Sequence, residues 1–147
     1  LAAIPPQAKP AVHMAAGILE RRRRHWDEAL AFFQRAAAGS PAEKLEAQKQ
    51  SIDTLIEARR WEDAKRLLVE VREQNPDDLG VAILTANLLS ISSSHQERTR
   101  ARADMDALRK KYPSKALVRY HWGQFLKREG ATNAAATEFR EAARLEE

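Results

Sequence analysis

Residues 26–41 read WDEALAFFQRAAAGSP, and their pattern of large and small side chains returns further along the chain. Trp26, Ala29, Phe33, Ala36 and Pro41 are followed, thirty-five positions later in every case, by Trp61, Ala64, Leu68, Val71 and Pro76. A period in the range of about 20 to 50 residues marks a repeat array, in which each unit buries its apolar face by stacking on the next. The fold expected is all-α, a series of antiparallel helix hairpins.

Working outward, Leu1 to Lys9 with Pro5 and Pro6 reads as an extended lead-in, since proline lacks the amide donor. A first helix is expected from Ala11 to about Arg24, with Val12, Ala15, Ala16 and Leu19 on its buried face. Gly17, a poor helix former, suggests the close approach of a neighbouring helix. The second helix, from Trp26, carries Ala29, Leu30, Phe33 and Ala36 on one face and is expected to stop at Gly39. Ser40, Pro41 and Glu43 form a capping box with proline in the first turn. The third helix runs to about Ala58, the fourth from Trp61 to about Glu73, and Asn75-Pro76-Asp77-Asp78 repeats the start signal for a fifth, Leu79 to about Leu89. Ser94 and Glu97 offer a further capping box before a sixth helix. A seventh, Ala116 to about Glu129, breaks at Gly130, and an eighth repeats the pattern with Ala135, Phe139 and Ala142. The repeats are thus placed at about 10–44, 45–78, 79–115 and 116–147.

These residues resemble the tetratricopeptide repeat family over about Pro10 to Glu147. Gly17, Ala29, Phe33, Ala36 and Pro41 carry the resemblance in the first unit, and Leu55, Ala64, Leu68, Val71 and Pro76 in the second. Ala86, Leu89, Ala101, Met105, Leu108 and Pro113 carry it in the third, and Trp122, Gly123, Leu126, Ala135, Phe139 and Ala142 in the fourth. The second unit departs by having Ile52 where a small residue is usual, and the third by an extended turn. The resemblance implies a right-handed superhelical solenoid whose concave groove is lined by the first helix of each hairpin. It places Met14, Ile18, Arg21, Arg22, Lys49, Asp53, Glu57, Ile83, Asn87, Tyr120, Gln124, Lys127 and Arg128 in that groove, a mixed surface suited to a peptide or partner protein segment. One subfamily, the chaperone adaptors, grips a C-terminal carboxylate with a lysine and an asparagine on its first helix. Met14 and Ile18 stand at those places here.

Composition limits the other readings. The 147 residues carry 25 basic and 21 acidic side chains, a net charge of +4, with no cysteine. Disulfides and thiolate metal sites are therefore excluded. The run Arg21–Arg24 reads as cations at a helix C-terminus in preference to a phosphate-binding strip. A 35-residue spacing also fits the pentatricopeptide type of RNA-binding repeat, an alternative disfavoured by the acidic second unit. Trp26, Trp61 and Trp122 read as core residues, with Tyr120 the better exposed contact. His13, His25, His95 and His121 show no ligand spacing, and Ser92-Ser93-Ser94-His95 reads as a loop and cap.

No enzyme activity, cofactor or metal is expected, and no apolar run approaches the roughly 20 residues that span a bilayer. Leu1 in place of methionine reads as a processed or excised piece, which leaves compartment open and admits a docking or regulatory segment of a larger enzyme or secretion component. The alanine- and arginine-rich wording resembles bacterial repeat proteins. The last helix, with Ala135, Phe139, Ala142 and Leu145, is expected to leave an apolar face for self-association or a further repeat.

Overall fold

The computed structural model describes residues 3–146. The expected lead-in thus loses Leu1 and Ala2, and the last repeat Glu147, to positions outside the described residues. Among those described, eight helices and no strand occur: α1 (Pro10–Arg22), α2 (Trp26–Ala36), α3 (Pro41–Glu57), α4 (Trp61–Gln74), α5 (Leu79–Ser90), α6 (His95–Lys111), α7 (Ala116–Arg128) and α8 (Thr132–Glu146). The chain divides into two compact units between Leu84 and Thr85, within α5.

Among the described residues, three of the four hairpin turns share one chemistry, that between α5 and α6 being the exception. Arg24 (φ 63°), Arg59 (φ 60°) and Gly130 (φ 81°) occupy the left-handed region. The following amide then reaches back five residues, from His25 to Glu20 O (2.9 Å), Arg60 to Leu55 O (2.8 Å) and Ala131 to Leu126 O (2.9 Å). This 6→1 bond satisfies a carbonyl that the ending helix leaves without a partner. Two of the three turns therefore force arginine into a conformation that glycine adopts without steric cost.

The start of α3 is as expected. The Glu43 amide donates to Ser40 Oγ at 3.3 Å and the Ser40 amide to Glu43 Oε2 at 2.7 Å. Gly39 does not end α2 by handedness. A Cβ there would meet the Glu43 carboxylate and, at 2.9 Å, the Pro10 ring, so space is what requires glycine. Asp78, not Asn75, caps α5, accepting from the Val81 amide at 2.9 Å. Asn75 closes α4 instead, its side-chain amide donating to Val71 O at 3.0 Å. At α6 the Glu97 amide donates to Ser94 Oγ, but the Glu97 carboxylate takes the Ser92 hydroxyl, and Ser92 Oγ in turn accepts the Ser94 amide at 3.0 Å.

In the first unit Ala29, Phe33, Ala36 and Ala47 form a buried cluster with Met14, Ile18 and Ala37 packed on it. In the second, Ala86, Ala101, Met105, Trp122, Phe125, Leu126 and Ala135 do the same, joined by Phe139. Small residues admit close backbones and an aromatic ring fills the remaining hole.

Three sequence expectations are corrected. The buried face of α1 is His13, Gly17 and Glu20, while Val12 and Leu19 are 45% and 38% exposed. Glu20 is held by His25 Nδ1 at 2.7 Å and Arg23 at 3.2 Å, and His13 Nε2 by Pro6 O at 3.2 Å, whereas the buried His13 Nδ1 has no hydrogen-bond partner. Trp61 is 38% exposed and Trp26 half-buried, leaving Trp122 as the core tryptophan, with Arg102 and Arg109 guanidiniums 5.5 and 5.6 Å from its ring centre. On α8, Ala135 and Ala142 are buried, and Phe139 lies against Gly123 of α7 and the Tyr120 ring, so that face is covered and the open apolar face is on α1.

Candidate functional site

The first helices of the hairpins carry the residues assigned to the groove, and each unit gathers its own set. In the first unit, Met14 and Ile18 are half-buried against the Phe33 cluster and present little side chain to a ligand. Arg21 crosses from α1 to α3, donating to Gln50 Oε1 at 2.8 Å with Glu57 at 4.0 Å. Arg22 is exposed. Lys49 sits 3.0 Å from Asp78 and 3.8 Å from Glu46. Burial works against the Asp78 carboxylate, but the Val81 amide and Lys49 hold it below the usual range. For Asp53 burial prevails, raising its pKa to about 6 against the pull of Arg21, with Glu57 and Glu46 adding repulsion. Ile83 is 2% exposed and belongs to the core.

The four arginines in a row fan out. Arg21 turns to α3, Arg22 to solvent, Arg23 to Glu20, and Arg24 makes the turn.

In the second unit, Asn87 on α5 donates its amide to His121 Nδ1 on α7 at 3.2 Å. Its Oδ1 is buried and accepts no hydrogen bond. Ser90, one turn later, donates to Asn87 O at 2.6 Å and accepts from Arg128 Nη1 at 2.6 Å. Tyr120 is 46% exposed. Its hydroxyl accepts from Gln124 at 3.0 Å, and its ring meets His121 edge-on at 5.3 Å. Lys127 is exposed. Burial, then the Arg128 charge, lowers the His121 pKa to about 4, so its imidazole is neutral at pH 7.

Sequence reasoning thus assembled Asn87, Tyr120, Gln124 and Arg128 and missed His121 and Ser90. The position of Ser90 three residues after Asn87, on the same helical face, was the available signal. His121 carries no spacing in the sequence that signals a contact with Asn87. Among the described residues no cluster of three or more His, Asp or Glu side chains is placed to hold a metal. No described helix is long and apolar enough to cross a membrane.

A second surface lies on α1. Ala11, Val12, Ala15 and Leu19, with Phe32 and Ile4, line an open apolar groove of about 710 Å³.

A family model described as tetratricopeptide repeat matches residues 21–88. Solved structures of MamA share the fold. MamA MSR-1 is 18% identical over 98% of this chain and 80% of that one, with a TM-score of 0.53. MamA AMB-1 is 19% identical over 97% and 83%, with a TM-score of 0.54. A double mutant of MamA RS-1 is 18% identical over 93% and 75%, with a TM-score of 0.54. No curated protein matches the chain. The resemblance to tetratricopeptide repeats is thereby supported over residues 21–88, and the all-helical fold is shared with the MamA structures. In general terms tetratricopeptide repeats support a protein–protein interaction scaffold.

Proposed function

We propose that the chain is a scaffold without chemistry of its own, and that it takes a peptide or partner segment against the first helices of its hairpins. The observation that carries this reading is Tyr120, 46% exposed on the first helix of its hairpin, a residue type suited to partner contact because its ring is apolar and its tip polar. Asn87, 9% exposed, joins α5 to α7 through His121, whose imidazole meets the Tyr120 ring edge-on. In the first unit Lys49, Glu57 and Arg22 add charges of both signs.

The test is a photo-crosslinking residue at Tyr120, with the captured segment identified by mass spectrometry. The variant Lys49→Ala, Asn87→Ala, Tyr120→Ala, checked for an unchanged helical spectrum, should lose the same partner. Equal capture by that variant would move the site elsewhere.

A further inference from the structure

The net charge is divided unevenly. Up to Leu84 the chain has thirteen basic and thirteen acidic side chains, whereas from Thr85 onward there are twelve basic and eight acidic. All of the +4 therefore belongs to the second unit. Part of it converges on a cavity of about 350 Å³ between the end of α5, the first turns of α6 and the end of α7. Its lining includes Ser90, His95, Arg98, Arg102, Arg128 and Glu129.

The three guanidiniums there are anchored differently. Arg102 is paired with Glu129. Arg98 donates to the carbonyls of Ser92 (2.7 Å) and Ser93 (2.8 Å), and Arg128 to the Ser90 hydroxyl (2.6 Å). Among the described residues, no carboxylate lies within ion-pairing distance of Arg98 or Arg128. Both side chains are thus positioned by neutral oxygens while keeping their charge uncompensated. Arg128 remains an exposed residue, and partial burial draws it below the ordinary guanidinium value. Arginine's planar fork offers paired donors to an oxyanion.

We infer that this cavity is an oxyanion-binding site, engaging a phosphomonoester or side-chain carboxylate on a partner peptide through Arg98 and Arg128. A single oxyanion occupies a small part of 350 Å³ and leaves room for the side chain that carries it. Single-stranded nucleic acid is gripped by stacking successive bases on open rings; Phe125 is 5% exposed, which leaves His95 as the one exposed ring in this lining.

The inference borrows from the scaffold reading only in naming a peptide as ligand. The groove variant at Lys49, Asn87 and Tyr120 leaves Arg98 and Arg128 untouched, so failure of one reading is distinguishable from failure of the other.

The test is an NMR titration of the whole chain with four labelled probes: a glycine-serine peptide, the same peptide with one phosphoserine, the same with three successive glutamates, and an oligouridylate. Saturable shifts confined to residues 90–102 and 125–129 are expected with the acidic peptides. Arg98→Ala and Arg128→Ala should each weaken that binding at least tenfold, while Arg140→Ala, an exposed arginine on α8, leaves it unchanged. A preference for phosphoserine assigns the site to phosphate, and one for glutamate to carboxylate. The inference is overturned if the acidic peptides bind no better than the neutral one, if Arg140→Ala costs as much as the pocket variants, or if the oligouridylate binds tightest and depends on the same two arginines.

Discussion

The ring of Phe33 occupies the space that a Cβ on Gly17 would need, with Cε1 2.5 Å and Cδ1 2.7 Å from that position. The same relationship recurs in the second unit, where Phe139 Cε1 lies 2.7 Å from the corresponding point on Gly123. A glycine inside a helix costs up to about 1 kcal/mol, and close packing of the aromatic offsets it.

Gly17→Ala should therefore destabilise despite alanine's better helix propensity. Phe33 is fully buried and has nowhere to move, and overpacking of such a contact costs about 1–3 kcal/mol. A urea melt of the variant should show a lower midpoint. A midpoint equal to or above that of the parent would mean the ring yields.

The turns make the opposite prediction. Arg24 and Arg59 carry a side chain at φ 63° and 60°, a conformation costing roughly 1–2 kcal/mol for a residue with a Cβ. Part of the relief is lost to the greater freedom of glycine in the unfolded chain. Arg24→Gly and Arg59→Gly should each raise stability by about 0.5–1 kcal/mol, and Gly130→Ala should lower it. Thermal scans of the three variants give the signs directly.

Asp53 predicts a pH dependence. Its folded pKa of about 6 lies above the unfolded value near 3.8, so the native state binds the proton more tightly. The stabilisation is full below the unfolded pKa and fades as pH rises through about 6. Asp53→Asn should gain on the order of 2 kcal/mol over the parent at pH 7, and the difference should shrink on acidification to pH 4. A constant difference across that range would place the carboxylate in water.

His121 has the reverse sign. Its folded pKa of about 4 lies below the unfolded 6.5, so its contribution is present above 6.5 and is lost as pH falls toward 4. Imidazole proton shifts followed by NMR should titrate far below the ordinary range. Arg128→Ala, by removing the neighbouring charge, should move that titration upward. No movement would leave burial as the whole cause.

Much of the fold was legible because local and periodic signals agreed. The thirty-five-residue spacing, the Ser40–Glu43 box and the small residue at Gly17 each point to a feature the structure has. What misled was α1, whose sequence offers two apolar stripes. Periodicity cannot choose between them, and Val12, Ala15, Ala16 and Leu19 are the more hydrophobic. The choice was made by Gly17, which only the inner face can use. The price is two buried polar side chains, His13 and Glu20, whose partners Pro6, Arg23 and His25 lie outside the helix or at its end. Trp26 and Trp61 misled differently. Their shared spacing marks helix starts, where a ring straddles the rim of the core.

Of the candidate site, the sequence showed which residues lie on first helices but not how they pair. The bond from Asn87 to His121 joins side chains thirty-four positions apart, and the left-out stripe of α1 depends on which neighbour the chain supplies.

That open stripe, with Val12 and Leu19 facing water, gives the molecule two surfaces of opposite character toward dissolved ions. Sulfate salts raise the free energy of wetted hydrocarbon, so association through α1 should tighten on salting out, with a heat capacity that falls as the stripe is covered. Contacts made by arginine should weaken over the same range as counterions shield them. A binding curve that strengthens with ammonium sulfate reports the first surface, and one that collapses in sodium chloride reports the second.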